Sequence, residues 1–425
     1  MIGCDLLHSV YDWIVIGGGA SGLFAAAYLS HHARQNNTAF CGAVLEKGKR
    51  VGNKLAVTGN GTCNISHTPI LESNYHGTDS AFAQAALAAF PPEKSMDFFR
   101  EIGVETFVRE DGRIYPTCLQ ASAVLDCLRA EMQINGVEEY SETVVTALKK
   151  QKELWVLKTE QGDFFAKVVI VAAGGAASPS VGGCDNGYRL LSALGCKYCT
   201  PFPSVVPLKT DTTFIRAVKG IRINANVTLL KDDHLCGSSQ GEILFTEYGL
   251  SGPAIMQISR PVGANVGVKN GVFQVKLDLF PQIEYHDLLT LLKLRREKLC
   301  GRTLENFFTG FIHKRIGQTL LRVCGLALNA PIESLTESQL KQLAAVCKGW
   351  KIDVFGTTGF ANAQVTGGGI ATKDFNPQTL EHRQHKGLFV VGEVLDVDGD
   401  CGGYNLQWAW SSAESAASQI LKTRV

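Results

Sequence analysis

Residues 11–23, YDWIVIGGGASGL, decide the fold of this chain. Ile14, Val15 and Ile16 are a short apolar β-branched run, the mark of a buried strand. Gly17, Gly19 and Gly22 follow in G-x-G-x-x-G spacing, and Leu23 to Leu29, rich in Ala and Leu, predicts a helix. Each glycine has a physical role. Gly17 permits a tight turn, Gly19 lets a pyrophosphate approach the backbone, and Gly22 lets helix and strand pack closely. The helix N-terminus offers free N–H groups and a partial positive charge to phosphate. A second apolar strand, Ala43 to Leu45, ends on Glu46, 24 residues after Gly22, where an acid can hydrogen-bond ribose hydroxyls. Strand, glycine spacing, helix and acid together predict a bound dinucleotide.

Working outward, Lys47 to Asn64 is rich in Gly and Asn and carries Lys47, Lys49, Arg50 and Lys54 without a helical or strand period. Its place directly after the ribose strand predicts a loop that runs along a pyrophosphate towards a flavin ring. Helices are predicted over 81–90, 93–102 and 121–134, with an extended piece around Arg113 and Tyr115 between the last two. Strands at 144–148, 154–159 and 164–171 form a small meander, and the last of them returns to the main sheet and ends on Ala172, Ala173, Gly174 and Gly175. A short helix is predicted at 187–194.

From 201 to about 280 strand-like runs dominate (205–209, 226–230, 242–245, 273–277), which predicts a β-rich, barrel-like insert. Ser251-Gly252-Pro253 reads as an N-cap and first turn for a helix over 254–259. Helical spacing then holds over 287–299, 304–311, 314–324 and 338–347, with Thr336 and Gln339 at capping-box spacing. The α/β texture resumes near 352. A strand over 387–391 leads to Gly392 and Glu393, a loop with Asp396, Asp398 and Asp400, and a final helix over 404–421 that opens at Gly402-Gly403. The expected domains are 1–200 with 352–425 as a discontinuous cofactor domain, 201–282 as the barrel insert, and 283–351 as the helical insert. Met1 to Val10 is expected to be a loose lead-in.

Composition narrows the function classes. Hydrophobic residues make up 45% and charged residues 19% of 425, ordinary for a globular enzyme of two or three domains. A net charge of +1 argues against a dedicated nucleic-acid surface. The longest apolar run, about Val168 to Ala177, is too short to span a bilayer, and no signal peptide is apparent, so no membrane association and a cytoplasmic location are expected. The 13 cysteines are odd in number and scattered, which predicts reduced thiols. Cys196 and Cys199 have C-x-x-C spacing but lack a second pair, so they are read as packing residues, with no metal site expected. His382 and His385 are read as surface residues.

Interruption of the α/β domain favours FAD over a nicotinamide, because a two-part domain can close on an extended dinucleotide from both ends. Glu393 and Asp396 are placed to hydrogen-bond a ribityl chain. The N–H groups where the last helix opens, at Gly402-Gly403-Tyr404-Asn405, can face the flavin N1–C2=O edge, where reduced flavin is negative. No second strand–GxGxxG–helix occurs: Gly367-Gly368-Gly369 leads into no helical pattern, so NAD(P)H, if it is the donor, docks transiently.

The blocks VIGGGASGL, LEKGKRVGNKLAVTGNGTCNIS, VVIVAAGGAASP, GEILFTEYGLSGPAIMQIS and GEVLDVDGDCGGYNLQWAWSS resemble those of the BaiN/YhiN-type flavoproteins, also described as HI0933-like or aminoacetone-oxidase-like. The resemblance runs from about Tyr11 to Ser412. It implies a glutathione-reductase-like FAD domain, a Rossmann-type parallel sheet plus β-meander, with inserted β-barrel and helical domains. It implies FAD held by Gly17, Gly19, Ala20, Ser21, Gly22, Glu46 and Lys47. The Lys54–Asn64 loop follows, through Lys54, Thr58, Gly59, Gly61 and Asn64. Val144, Ala173, Gly174, Gly392, Glu393, Asp396, Gly403, Tyr404, Asn405 and Leu406 complete the set. Thr62 stands where the family motif TGxGRCN has Arg. The implied activity is hydride transfer to or from a small organic substrate, enoyl, steroid-like or amine. The rival readings are a flavin-bearing redox sensor or electron carrier, and a flavoprotein that modifies tRNA. Thr246, Ser251, Arg113 and Tyr115 are pocket candidates, and Cys63 is read as packing; no catalytic residue is fixed.

Overall fold

The computed structural model of the chain describes residues 10–38, 40–265 and 271–423. The lead-in before Val10 lies outside them. The chain divides into two compact units, one of residues up to Phe202 with Gln364 onward, the other Pro203–Ala363.

In the first unit, β1 (Val10–Ile16) and β2 (Gly42–Leu45) flank the helix α1 (Ala20–Gln35) in sequence and pair in parallel in space. Glu138–Tyr140 extends the sheet beyond β2. On the other side of β1 lies the strand Gly162–Val171, also parallel to it. That strand has two functions. Its first half pairs antiparallel with Leu154–Thr159, the middle of the meander. Its second half pairs in parallel with Leu388–Val390, so the last α/β segment enters the same sheet as the first. Consecutive apolar residues suit strands covered on both faces, and Trp13 to Val15 and Val169 to Val171 are fully buried. The meander's first strand is Ala147–Gln151, later than the predicted 144–148. Residues 143–145 are extended but unpaired, because the Thr143 N–H goes to the Glu46 carbonyl.

The terminal helix, Tyr404–Lys422, lies along α1. Phe24 and Trp410 rings meet at 5.2 Å, and the Tyr28 hydroxyl donates to Glu414 at 3.3 Å. Its Ala and Ser residues allow this close approach. Gln407, wholly buried, is satisfied by Ser66, Ser95, Ser411 and the Phe90 carbonyl.

The second unit holds a closed six-strand barrel in the order Leu208–Thr210, Gly249–Ser251, His234–Phe245, Arg222–Lys231, Phe273–Asp278, Trp350–Thr357. The last strand closes on the first, so the chain returns to the first unit only at Gln364, past the expected 352. Helices Tyr285–Lys298, Lys314–Val323 and Glu337–Gly349 share one apolar core with the barrel strands. The Thr336–Gln339 capping box forms as its spacing predicts. The helix expected at 304–311 does not: only a 3₁₀ turn, Leu304–Asn306, is present. The Arg295 guanidinium takes the Phe307 and Thr309 carbonyls at 2.7–3.0 Å, which engages those groups elsewhere. Ser251 ends a strand, and Gly252 is the cap of the helix Pro253–Gln257, without a side-chain bond from Ser251.

Candidate functional site

Four parallel strands end together. Gly17 N–H donates to the Leu45 carbonyl at 2.8 Å, Ala172 N–H to Ile16 at 2.8 Å, and Val391 N–H to Val171 at 3.0 Å. Beyond these ends a cleft of about 730 Å³, counting the solvent at its mouth, is lined by residues at or just past all four strand ends. This is where open α/β sheets hold ligands.

The three glycines of the turn differ in what surrounds them. Gly17 has φ +106°, which a side chain disfavours, and a Cβ there would lie 2.5 Å from the Ala172 carbonyl oxygen. A Cβ on Gly22 would lie 1.9 Å from the Gly17 carbonyl oxygen. A Cβ on Gly19 would meet nothing within 4 Å, so that position faces open space. Gly19 caps α1 without a side-chain bond and no acid stands in the first turn, so its first N–H groups are left for an anion.

Glu46 is oriented by the backbone. Its two carboxylate oxygens accept from Gly18 N–H at 2.8 Å and Gly48 N–H at 2.7 Å. Lys47 and Arg50 line the same wall. Lys54 Nζ reaches Glu393 at 2.7 Å, and the other oxygen of Glu393 accepts from Thr366 N–H at 2.8 Å. Of the predicted residues, Gly17, Gly19, Glu46, Lys47, Lys54, Ala173, Gly174 and Glu393 line the cleft. Val144 does not. In this extended stretch alternate side chains turn opposite ways, and Thr143 and Val145 face in while Val144 is 36% exposed. Arg50, one of the loop cations expected along a pyrophosphate, lines the cleft too, whereas sequence reasoning missed Asn186 and the Gly182-Gly183 doublet, which also line it. The doublet, just after a strand end rich in small residues, was the available signal.

The remaining predicted residues are also outside the lining of this cleft. A Cβ on Gly392 would lie 2.5 Å from Ser21 Oγ. Asp396, 3% exposed, accepts from Thr78 N–H at 2.9 Å, and Asp400 accepts from His76 at 2.9 Å. The loop after Lys54, predicted without a period, contains a helical turn Asn53–Ala56 and a 3₁₀ turn Thr58–Gly61 in which Gly59 and Asn60 are left-handed. Asn64 follows it. Its Oδ1 is buried with no partner, and a Cβ on Gly403, at the cap of the terminal helix, would lie 2.9 Å from it. Asn405 is taken up by Gly399 and Asp400. An open glycine at a bare helix start, unengaged cations and an orphaned buried amide oxygen fit an extended anionic ligand carrying hydrogen-bond donors.

Arg113 and Tyr115 share a strand beside His67. The ring of Tyr115 packs under Arg109. Thr246 and Ser251 belong to the second unit, where the Thr246 hydroxyl is spent on the Gly249 carbonyl. Cys63 is fully buried, and burial pushes its thiol up to about 12. The cysteines among the described residues are all free, and none of these residues form a group of three or more that could hold a metal ion. His382, expected at the surface, is buried, and its Nδ1 accepts from Gln384 and His385 N–H. No described helix is long and apolar enough to cross a membrane.

The family described as HI0933-like protein Rossmann domain matches residues 11–419. A 3-dehydro-bile acid delta(4,6)-reductase of Clostridium scindens is 35% identical over 94% of this chain and 96% of its own. A ribosomal RNA dihydrouridine synthase of Haemophilus influenzae is 29% identical over 96% and 98%. Among solved structures, a 3-ketosteroid delta1-dehydrogenase from Sterolibacterium denitrificans has a TM-score of 0.50 over 98% of this chain and 100% of its own, at 12% identity, a likeness of fold. With a strand–glycine turn–helix at one end of the sequence and its partner strand at the other, the chain belongs to the HI0933-like family and is a flavin-dependent oxidoreductase.

Proposed function

We propose that the cleft holds FAD and that the enzyme reduces a carbon–carbon double bond conjugated to a carbonyl in a small cyclic substrate. The observation that carries the reading is the single cleft lined by both Gly17–Gly19 and Glu393, residues from opposite ends of the chain. Glu46 is placed for a ribose, the start of α1 with Lys47 and Arg50 for the pyrophosphate, and Lys54, Glu393 and the Asn64–Gly403 corner for the flavin half. When bound, FAD supplies hydride chemistry. The chain's own groups bind and orient it: Glu46 accepts, the bare N–H groups of α1 donate, and Asn64 Oδ1 offers an acceptor to a flavin N–H.

The substrate class follows from what the relatives' names have in common. A 3-oxo steroid with a Δ4,6 system and a uridine base both present C=C conjugated to C=O. Reduction of such a bond is the shared chemistry. The small-molecule substrate is favoured by the higher identity of the bile acid reductase and by the net charge of +1. A second reading, reduction of uridine in RNA, draws on the Haemophilus relative.

The test is anaerobic. Purified protein is reduced with NADH or NADPH, then mixed with a steroidal dienone, a simple amine-derived imine or a uridine-containing ribosomal RNA fragment, and reoxidation of the 450 nm band is followed. Fast reoxidation by the dienone is expected. Reoxidation by RNA alone establishes the second reading, and a colourless protein that cannot be loaded with FAD refutes both.

A further inference from the structure

Tyr404, the first residue of the terminal helix, stacks on His67 with ring centroids 4.6 Å apart and planes 20° from parallel. Tyr404 Oη lies 3.1 Å from His67 Nδ1. The same Nδ1 lies 3.4 Å from the Pro69 carbonyl oxygen. A carbonyl oxygen can only accept, so the tautomer with its hydrogen on Nδ1 is the one that serves both contacts. A protonated Nδ1 takes no hydrogen bond from a phenol. In that tautomer Tyr404 keeps its own O–H, for which no acceptor stands among the described residues.

Arg113 is the second group. His67 and Arg113 are opposite each other across an antiparallel pair. A Cβ on Gly402 would lie 3.4 Å from Arg113 Nε and 3.9 Å from both Arg113 Nη2 and His67 Cδ2, so the bare glycine leaves this corner open. The ion pair of Arg113 with Asp111 is long, 3.7 Å, and both side chains are partly exposed. Most of the guanidinium's five donors are thus unspent. Around Tyr404 stand Tyr75, whose hydroxyl donates to the Tyr404 carbonyl at 3.0 Å, and Asp400. Burial, then the Asp400 charge, hold the phenol's pKa up to about 12, against the pull of Arg113. At neutral pH the phenol is a neutral donor.

We propose that Tyr404 Oη–H and the Arg113 guanidinium form a binding site for the carbonyl oxygen of a small cyclic enone, with His67 as the positioning residue that turns the phenol hydrogen outward. The proposal rests on the reading in "Proposed function" and adds the residues that receive the substrate oxygen. A carbonyl conjugated to C=C gains negative charge at oxygen as its β-carbon becomes electron-poor. One cationic and one neutral donor, fixed in advance, favour that polarisation.

The experiment uses the oxidised FAD-loaded protein and non-reducible phenols, whose ring oxygen stands in for the polarised carbonyl. Calorimetric titrations with estradiol and with a series of simple phenols of increasing acidity are run on the wild type, Tyr404→Phe, Arg113→Met and His67→Phe. The expected result is binding that tightens along the acidity series in the wild type, roughly 10- to 100-fold weaker binding in Tyr404→Phe and Arg113→Met, and a flatter acidity dependence in Arg113→Met. His67→Phe keeps the ring stack but not the N–H, and is expected to weaken binding by about 3- to 10-fold with an unchanged melting temperature. Flavin absorbance is recorded first, so a failure to hold FAD is seen before any ligand is added and is separate from failure here. Equal affinities in all four proteins overturn the proposal. So does a loaded wild type that binds no phenol, or one that binds only a uridine oligonucleotide.

Discussion

Lys54 Nζ lies 2.7 Å from Glu393 Oε2, an ion pair between residues 339 positions apart in the chain. It joins the loop after β2 to the turn after Leu388–Val390, the two chain ends on either side of the cleft. Both side chains are more than a fifth exposed, so solvent screens the pair, and its worth to folding is about 0–1 kcal/mol. Its value is placement of charge at the cleft. Lys54→Met is expected to change apoprotein stability by less than about 1 kcal/mol yet to weaken FAD binding roughly tenfold, an effect that shrinks as salt is raised from 50 to 500 mM. Equilibrium dialysis at the two salt concentrations measures it; an affinity equal to the wild type at low salt removes Lys54 from the cofactor site.

The first and third glycines of the opening motif differ from the second in what they protect, and two substitutions separate the roles. Gly19 has ordinary backbone angles, φ −84° and ψ −169°, and a Cβ there meets no protein atom within 4 Å. Gly19→Val should therefore leave the apoprotein folded and remove FAD, because the added side chain fills only the space of the pyrophosphate. Gly22→Ala places a methyl 1.9 Å from a backbone oxygen that has no room to retreat. It should destabilise the apoprotein itself by about 1–3 kcal/mol or more. Thermal melts with and without FAD distinguish the two. Retention of FAD by Gly19→Val at wild-type affinity defeats the placement.

The site was legible where chemistry depends on short-range spacing. Gly17, Gly19, Gly22 and Glu46 act through a local turn, and the strand–turn–helix pattern that places them is written in consecutive residues. The pairing of Gly162–Val171 with Leu388–Val390 spans a whole intervening unit, and only the return of α/β texture announced it. What escaped depends on tertiary partners. The barrel's closing strand, Trp350–Thr357, reads locally like the start of another α/β unit, and only its neighbours Phe273–Asp278 and Leu208–Thr210 reveal it as part of the barrel. Residues 304–311 have helical spacing, but Arg295, nine or more positions earlier, takes their carbonyls. Val144 stands between Thr143 and Val145, which line the cleft, and is not in the lining itself; a stretch that pairs with no strand gives no register from which to count faces.

Glu46 supplies both oxygens to backbone N–H groups, of Gly18 and Gly48, and these bonds hold the glycine turn against the loop that follows β2. Glu46→Ala leaves both donors without that partner beside the cleft. FAD affinity should fall by about 1–3 kcal/mol, the scale of a charged hydrogen bond, which is about 5- to 150-fold in Kd. Glu46→Gln keeps one acceptor and turns an NH₂ towards one of the two amides, so it should fall between the alanine variant and the wild type. Fluorescence titration of the apoprotein with FAD gives the three constants. Equal constants would place the ribose away from Glu46.

The thiols offer a test of the loop near the proposed flavin half. Cys63 sits at the end of that loop with φ +56°, fully buried, its thiol held at about 12 by burial against a lowering hydrogen bond from Thr58. Burial likewise pushes Cys196 up to about 11. Cys118 and Cys300 are exposed. Only the thiolate is alkylated, and access matters as much as acidity. Iodoacetamide at pH 8 should therefore label Cys118 and Cys300 within minutes and leave Cys63 and Cys196 unmodified until the protein is denatured. If the Lys54–Asn64 loop holds the cofactor as proposed, Cys63 should become slowly reactive when FAD is stripped and be protected again on reloading, while Cys196 stays silent in both states. Peptide mapping by mass spectrometry reads each site. Labelling of Cys63 at one rate with and without FAD would uncouple the loop from the cofactor, even if the glycine turn still bound it.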